Sequence, residues 1–364
     1  MLEDLREAFL DIALQRLINQ HIALATFEQP GDVVKWLGAV QAQDYAGAKW
    51  ALGLRLKGAT DDDIDQAFAN GSILRTHLLR PTWHFVTPAD IRWMLVLTAP
   101  RVHAVNAYMY RKLELDAAIF KRSHAALTKA LRGGQTLTRD ELRNALQKTG
   151  IAVDGELRMG YLMMRAELDG IVCSGPRRGK QFTYALLDER VPQGKTLERE
   201  EALVELARRY FLSRGPATVQ DFAKWSGLTA ADARSGLEAV RVQLQHEVVG
   251  NQSYWFSPST PYSNDSSPTA YLLSIYDEYI SGYKDRSAMV GQTHAAKLSA
   301  LGNALSYIVV IDGQILGTWK RSITKSAVAI EANCFKRLTK REKQAVALAA
   351  QRYARFVDLQ LKFA

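Results

Sequence analysis

Apolar residues recur at helical spacing through most of the chain, and short runs of alternating polarity interrupt them at intervals. The pattern is clearest from Arg199 to about Phe256. "EEALVELARRYFLSRG" reads as a helix, "ATVQDFAKWSGLTAADARSGLEAV" as two short helices split at "SGLT", and "LQHEVV" and "YWF" as closing strands. That order predicts a winged helix, with Thr218 and Thr229 as N-caps. It recurs between about Phe120 and Pro192: "FKRSHAALTKAL", then "LTRDELRNALQKTG" capped at Thr138, then "ELRMGYLMMRAELDG" ending at Gly170, then a hairpin in "IVCSGPRRGKQFTYALL". A more degenerate copy lies between Gly31 and about Ala99, where "RTHLLRPTWHFV" supplies the strand part. Three copies at a spacing of roughly 70 residues predict a tandem array.

Beyond about Ser266 the pattern changes. "TAYLLSIYDEYISGY", "YIVVIDGQILGTWKR" and "SAVAIEANCF" are β-rich, Asp312-Gly313 is a hairpin signal, and "TKREKQAVALAAQRYARFVDLQLKF" reads as an amphipathic basic helix. The turn-forming "SPSTPYSNDSSP" links the two regions. The expected fold class is therefore α+β and predominantly helical: tandem winged helices followed by a β-rich domain. The expected divisions are 1–105 (an N-terminal helix and the first copy), 106–195 (the second copy, with a basic wing), 196–262 (the third copy) and 263–364 (the β-rich domain with its basic helix).

The composition is that of a packed globular protein, with 47% hydrophobic and 23% charged residues, and nothing resembles a targeting or membrane-crossing segment. A cytoplasmic, nucleoid-associated protein is the expectation. Two cysteines, Cys173 and Cys334, supply neither a metal cluster nor a disulfide framework, and both read as small core residues. The net charge of +9 is unevenly spread: residues 101–148 hold ten Lys/Arg against four Asp/Glu, and residues 266–364 hold fourteen against seven. Clustered positive charge fits a polyanion partner or a solubility function.

Common catalytic signatures are missing. There is no GxGxxG and no HExxH, and "GPRRGKQ" is not a phosphate loop, since it is one residue short between its glycines and has Gln181 where Ser or Thr is needed. Two segments draw attention instead. If "THLLRPTWHFV" is extended, Thr76, Arg80, Thr82 and His84 share one face, as a polar groove surface or as a hydrogen-bond ladder on an edge strand. In "QAQDY", Gln41, Gln43, Asp44 and Tyr45 follow the apolar "VVKWLGAV", which reads as a buried helix, and precede the apolar "AGAKWALGL". The amides could cap a helix C-terminus or lie in solvent. An enclosed pair would orient a water or a base edge, with Asp44 supplying charge beside a cationic intermediate.

Together "LGAVQAQDYAGAKWALGLRL", "THLLRPTWHFVTPADIRW", "DEYISGYKDRS" and "VVIDGQILGTWKR" resemble the AlkZ-type and YcaQ-type DNA glycosylases, over nearly the whole chain. The Gln41-Ala42-Gln43 triplet is similar to the Gln-apolar-Gln motif of the AlkZ-like branch; the related branch has aspartate at the position of Gln43. The resemblance implies a C-shaped scaffold with a DNA-binding cleft, in which Gln41 and Gln43 carry the catalysis; Asp44, whose charge stands beside them, is the third expected catalytic residue. It implies a monofunctional glycosylase that removes alkylated purines, including bulky N7 adducts and, in some members, interstrand crosslinks, from double-stranded DNA; a monomer is expected because a cleft built from tandem copies has no need of a two-fold axis. No metal or other cofactor is implied. Tyr45, Arg80, Thr82 and His84, the wing residues Arg177, Arg178 and Lys180, and Arg286, Trp319, Lys320 and Arg321 are the expected DNA contacts. The competing expectation is a transcription regulator that reads sequence without catalysis.

Overall fold

One supersecondary order is repeated three times in the computed structural model, which describes residues 11–192, 196–257, 267–291, 294–297 and 307–363. A short helix, α1 (Ile12–Asn19), precedes the first copy: α2 (Pro30–Leu37), β1 (Val40–Gln41), α3 (Tyr45–Gly53), α4 (Asp61–Asn70), β2 (Leu74–Leu78) and β3 (Thr82–Val86). The long helix α5 (Ile91–Lys112) leads to the second: α6 (Ala117–Leu131), β4 (Leu137–Thr138), α7 (Arg139–Gln147), α8 (Glu156–Leu168), β5 (Val172–Ser174) and β6 (Thr183–Leu186). After one turn, α9 (Leu187–Arg190), the third follows as α10 (Arg199–Arg214), α11 (Val219–Ser226), α12 (Ala230–Val240), β7 (Gln245–Val249) and β8 (Gln252–Phe256). Sheet orders β1-β3-β2 and β4-β6-β5 are the same arrangement, and in the third copy the first strand shrinks to a bridge between Ala217 and Trp255. Helices make up about half of the described residues.

Local chemistry explains where these helices start. Thr138 and Thr218 each accept the N–H three residues on, from Glu141 and Asp221, whose carboxylates return to the threonine N–H. Such caps stabilise a helix start by about 1 kcal/mol. Thr229 caps α12, and Gly170, with positive φ, follows α8 as the sequence predicts.

The C-terminal region is a five-stranded sheet of order β13-β12-β11-β10-β9, built from β9 (Ala270–Leu273), β10 (Ile308–Ile311), β11 (Gln314–Ile323), β12 (Ala327–Cys334) and β13 (Gln360–Phe363). Asp312-Gly313 makes the expected tight turn between β10 and β11. Three expectations need correction. "DEYIS" holds a helical turn, α13 (Glu278–Ser281), and the basic helix α14 (Lys340–Phe356) stops short of the chain end. The residues after it form β13, parallel to β12. The predicted linker lies mostly outside the described residues. Cys173 is buried as expected, whereas Cys334 is half-buried.

Most of the first and third copies and of the C-terminal region share one continuous apolar core, while the second copy has its own. Trp50 of α3 joins Tyr353 and Phe356 of α14 at ring distances of 5.0 Å, and its indole N–H donates to Leu272 O at 2.6 Å. The helix that begins directly after "QAQD" is thereby fastened to the C-terminal sheet. No helix among the described residues is long and apolar enough to cross a membrane.

Candidate functional site

The run "QAQDY" is neither a helix end nor a loop in solvent. Helix α2 stops at Leu37, Gly38 takes a positive φ, and Gln41 enters β1 opposite His84. Asp44 then accepts the Gly47 N–H at 2.5 Å and caps α3. Asp44 therefore occupies the position held by Thr138 and Thr218 in the other two copies. In those copies the cap comes directly at the strand or bridge. In the first copy Ala42 and Gln43 intervene. Ala42 still donates to Trp83 O at 2.8 Å and is buried, whereas Gln43 stands exposed between strand and helix. Two added residues thus put one amide inside the protein and the other outside it.

Gln41 is 9% exposed, and its side-chain oxygen accepts from Arg80 Nη2 at 3.2 Å. Its backbone N–H donates to Glu278 Oε1 at 2.9 Å. Glu278, fully enclosed, also accepts through Oε2 from Arg214 Nη2 at 2.6 Å and Trp225 Nε1 at 2.9 Å. Burial alone would raise the Glu278 carboxyl, but Arg214 and the Gln41 N–H outweigh it and hold it below the ordinary range. Next to it Asp277 takes a two-point contact from Arg55, both bonds 3.0 Å. The "DEYISGY" motif is therefore a buried junction joining β1, α10, α11 and the C-terminal region. Sequence reasoning missed Glu278 because its partners lie 53, 64 and 237 residues away.

"THLLRPTWHFV" is two strands, not one. Leu79 adopts φ 60°, and the chain reverses over Leu79, Arg80 and Pro81, pairing Thr76 with His84 and Leu78 with Thr82. Arg80 Nη1 donates to Trp225 O at 2.5 Å, and Gly227 lies so close to Leu79 O that a Cβ there would meet it at 2.3 Å. The turn is wedged against the end of α11. Arg80 is thus a brace between copies, and Thr82 Oγ1 is enclosed without a protein partner.

Several expected DNA contacts are placed elsewhere. His84 and Trp319 are enclosed: the Trp319 indole donates to Leu273 O at 2.9 Å, and His84 Nδ1 donates to Thr82 O at the same distance. Neither offers DNA a surface, because each sits in a core where apolar contact outweighs exposure. Arg177 lies over the rings of Tyr45 and Phe182 and 3.6 Å from Asp65, so it ties the wing of the second copy to the first. The Tyr45 hydroxyl donates to the same Asp65 at 2.7 Å, and burial together with that carboxylate raises its pKa. Lys49 fills the space between Asp61 and Asp65. Arg178 is exposed and paired with Glu141, Arg286 is half-buried, and Arg321 stacks over Tyr307. Lys180 and Lys320 are exposed.

Beside Gln43 the first copy meets the second around a pocket of about 260 Å³. On its floor the imidazole of His77 is hydrogen-bonded to Glu167 and packs tilted against Trp83, with ring centroids 4.4 Å apart. Arg75, whose guanidinium burial depresses to about 10, donates to Ala42 O at 3.0 Å and lies over Trp83 and Phe182. A buried cation and a buried carboxylate thus lie under the two-glutamine segment. Nothing local in "MMRAELDG" singles out Glu167; it gains His77 and Trp83 as partners only where α8 packs on the β2–β3 hairpin.

Burial and the neighbouring Arg80 push the His84 pKa from 6.5 down to about 3. A depressed folded-state pKa means that the unfolded chain binds a proton that the native protein refuses. The stabilisation is complete above pH 6.5 and is lost as the pH falls toward 3, with a slope of up to about 1.4 kcal/mol per pH unit. We expect His84→Leu to flatten this limb in denaturant titrations from pH 7 to pH 4. Parallel wild-type and variant curves would show that His84 is not the group responsible.

A triplicated helical scaffold closed by a curled sheet, with a paired-amide segment at one inter-copy junction, defines a class, and comparison with known proteins identifies it. The family model for AlkZ-like DNA glycosylases matches residues 34–356, and the chain belongs to that family. It is 26% identical over 324 residues to an interstrand DNA cross-link repair glycosylase of Streptomyces sahachiroi, covering 84% of this chain and 85% of that protein. The solved structure of Streptomyces sahachiroi DNA glycosylase AlkZ is similar in fold, with a TM-score of 0.80 over 97% of this chain and 98% of that one, at 22% identity.

Proposed function

We propose that the protein is a monofunctional DNA glycosylase that hydrolyses the N-glycosidic bond of alkylated purines, N7 and N3 adducts first, and that it unhooks interstrand crosslinks made at those positions. The three repeated units are read as winged helices, divided near residues 105, 195 and 262, with the β-rich domain after them and an open DNA-binding cleft between. The observation that carries the reading is the Ala42-Gln43 step between β1 and the cap of α3, which leaves Gln43 exposed beside the buried Gln41.

Alkylation at N7 places a positive charge on the purine and makes it a good leaving group. The enzyme's task is then to place a water and to tolerate positive charge on the sugar. Gln43 accepts a hydrogen bond from that water and orients its oxygen toward C1′. The C1′–N bond breaks, the base leaves neutral, the water oxygen bonds to C1′, and one proton passes to solvent. Gln41, clamped by Arg80 and Glu278, fixes the position of Gln43, and the carboxylate of Asp44 adds negative potential near the sugar. Lys180, Lys320, Arg178 and Arg286 are the remaining candidates to hold phosphates, a role in which each exposed cation contributes modestly and in a salt-dependent way. The protein acts as a monomer in this reading, since one chain supplies all of these parts.

The test is base release from duplexes carrying N7-methylguanine and from a crosslinked duplex. Release from either supports the glycosylase. A footprint on one defined operator, with no base released from any alkylated duplex, would instead favour the transcription regulator.

A further inference from the structure

Charge does not balance at the junction behind Gln41. Arg214 is matched there by Glu278, Arg55 by Asp277, and Arg16 by Asp221 at 3.8 Å. Three more cations, Arg80, Lys224 and Arg286, arrive from the first copy, from α11 and from the segment after α13, and none has an ion-pair partner among the described residues. Backbone carbonyls bring them together. Lys224 Nζ donates to Ser281 O at 2.9 Å and to Tyr283 O at 3.2 Å, while Arg286 Nε donates to the neighbouring Ile280 O at 3.2 Å. Arg80 Nη1 reaches Lys224 O at 3.3 Å, and its Nη2 holds Gln41 Oε1. Burial first, then Arg80 and Arg286, push the Lys224 ammonium from 10.5 down to about 8. The carboxylates in electrostatic reach, Glu278 and Asp221, are those already taken by Arg214 and Arg16. Carbonyls at the ends of α11 and α13 explain where the three cations sit, but they carry only partial charge. Like charges at a half-buried seam repel one another and lose hydration, and an anion that touches all of them offsets both costs. Donors remain for it: the Nη groups of Arg286 and one hydrogen of Lys224 are unused among the described residues. A guanidinium fork beside a point charge is suited to phosphate oxygens.

We propose that Arg80, Lys224 and Arg286 form one clamp for a single phosphodiester of the DNA backbone, next to the nucleotide that meets Gln41. The proposal rests on the reading of Gln41 as part of the reacting centre. Arg80 joins the two events, because the guanidinium that faces the phosphate also fixes the Gln41 amide. The clamp differs in kind from the exposed Lys180 and Lys320, each of which stands alone. Three charges on one phosphate act as a unit, so the losses on removing them are not additive.

The experiment measures the affinity of Lys224→Gln, Arg286→Gln and the double variant for an N7-methylguanine duplex across a range of salt. Glutamine keeps an N–H for the carbonyls while removing the charge, and melting temperatures check that each variant is folded. The lesion carries a 2′-fluoro sugar that resists base loss, and neutral methylphosphonates replace the phosphates around it one at a time. Each single variant should lose on the order of tenfold in affinity at low salt, with a log–log salt slope smaller by about 1, and the double variant little more. One methylphosphonate position should weaken the wild type by the same factor and leave the variants unaffected. Unchanged slopes, or variants that stay sensitive at every position where the wild type is, overturn the proposal. A changed slope with no position that stands out overturns the assignment to a single phosphate. If inorganic phosphate raises the melting temperature of the wild type and not of the variants, while duplex affinity is the same for all, the site takes a free anion and the proposal fails. Base release is followed on ordinary sugars. Release by the wild type with unchanged slopes in the variants removes the clamp and leaves the glycosylase; a clamped position without release from any duplex does the reverse.

Discussion

Replacing Gln43 with alanine should lower base release from alkylated duplex DNA by about 100-fold, while leaving DNA affinity within a factor of about three and the melting temperature unchanged. That loss is typical of removing one preorganised hydrogen-bonding group from a reacting centre and corresponds to about 2.7 kcal/mol of barrier. The side chain is exposed, and its amide has no partner among the described residues, so the fold does not depend on it. Gln41→Ala should lower release by a similar factor, but with a different signature. It takes away the oxygen that accepts from Arg80 Nη2, and a lost bond to a charged group costs about 1.5–3 kcal/mol. The melting temperature should therefore drop for Gln41→Ala and hold for Gln43→Ala. Full release by Gln43→Ala at unchanged affinity would remove the exposed amide from the mechanism, and the added Ala42-Gln43 step would lose its functional meaning.

The parts of this fold that show in the sequence are those specified by neighbours along the chain. Thr138, Thr218 and Thr229 announce helix starts because each bonds to a group three residues on. Asp312-Gly313 announces a hairpin because both residues accept positive φ. The reversal at Leu79 is hidden for the opposite reason. Nothing local favours positive φ at a leucine, and the turn is held by a carbonyl of Trp225 and by the close approach of Leu79 O to Gly227, where no side chain could stand. The site divides in the same way. Gln41 and Gln43 stand out as amides in an apolar stretch, but no periodicity says that one is clamped and the other free. That difference comes from β1 pairing with β3 and from Glu278, which approaches from the far end of the chain. Trp319 misleads because "GTWKR" ends in charge, and the alternation of β11 turns Lys320 outward and the tryptophan inward.

The largest effect on stability is expected at Glu278. Its carboxylate receives Arg214, the Trp225 indole and the Gln41 backbone N–H at once, and neither Glu278 nor Arg214 has solvent access. Glu278→Ala would leave a buried guanidinium without its counter-charge and two N–H groups without an acceptor. Breaking a buried pair in this way costs about 3–5 kcal/mol. Glu278→Gln should recover little, because the amide presents N–H groups toward the donors of Arg214. The pair itself is a different matter. Two charges enclosed together gain little over an apolar pair of similar volume, so Glu278→Leu combined with Arg214→Met should be clearly more stable than Glu278→Ala, although the Leu37 and Ala39 carbonyls lose their donor from Arg214. Denaturant midpoints of the single and double variants would measure this coupling. Strictly additive losses would mean that the ion pair is incidental and that packing alone holds the junction. With strong coupling, base release by the double variant becomes informative: β1 would still be paired with β3, but the Gln41 N–H would lack its carboxylate. A folded double variant with reduced release would place Glu278 among the groups that position the paired glutamines.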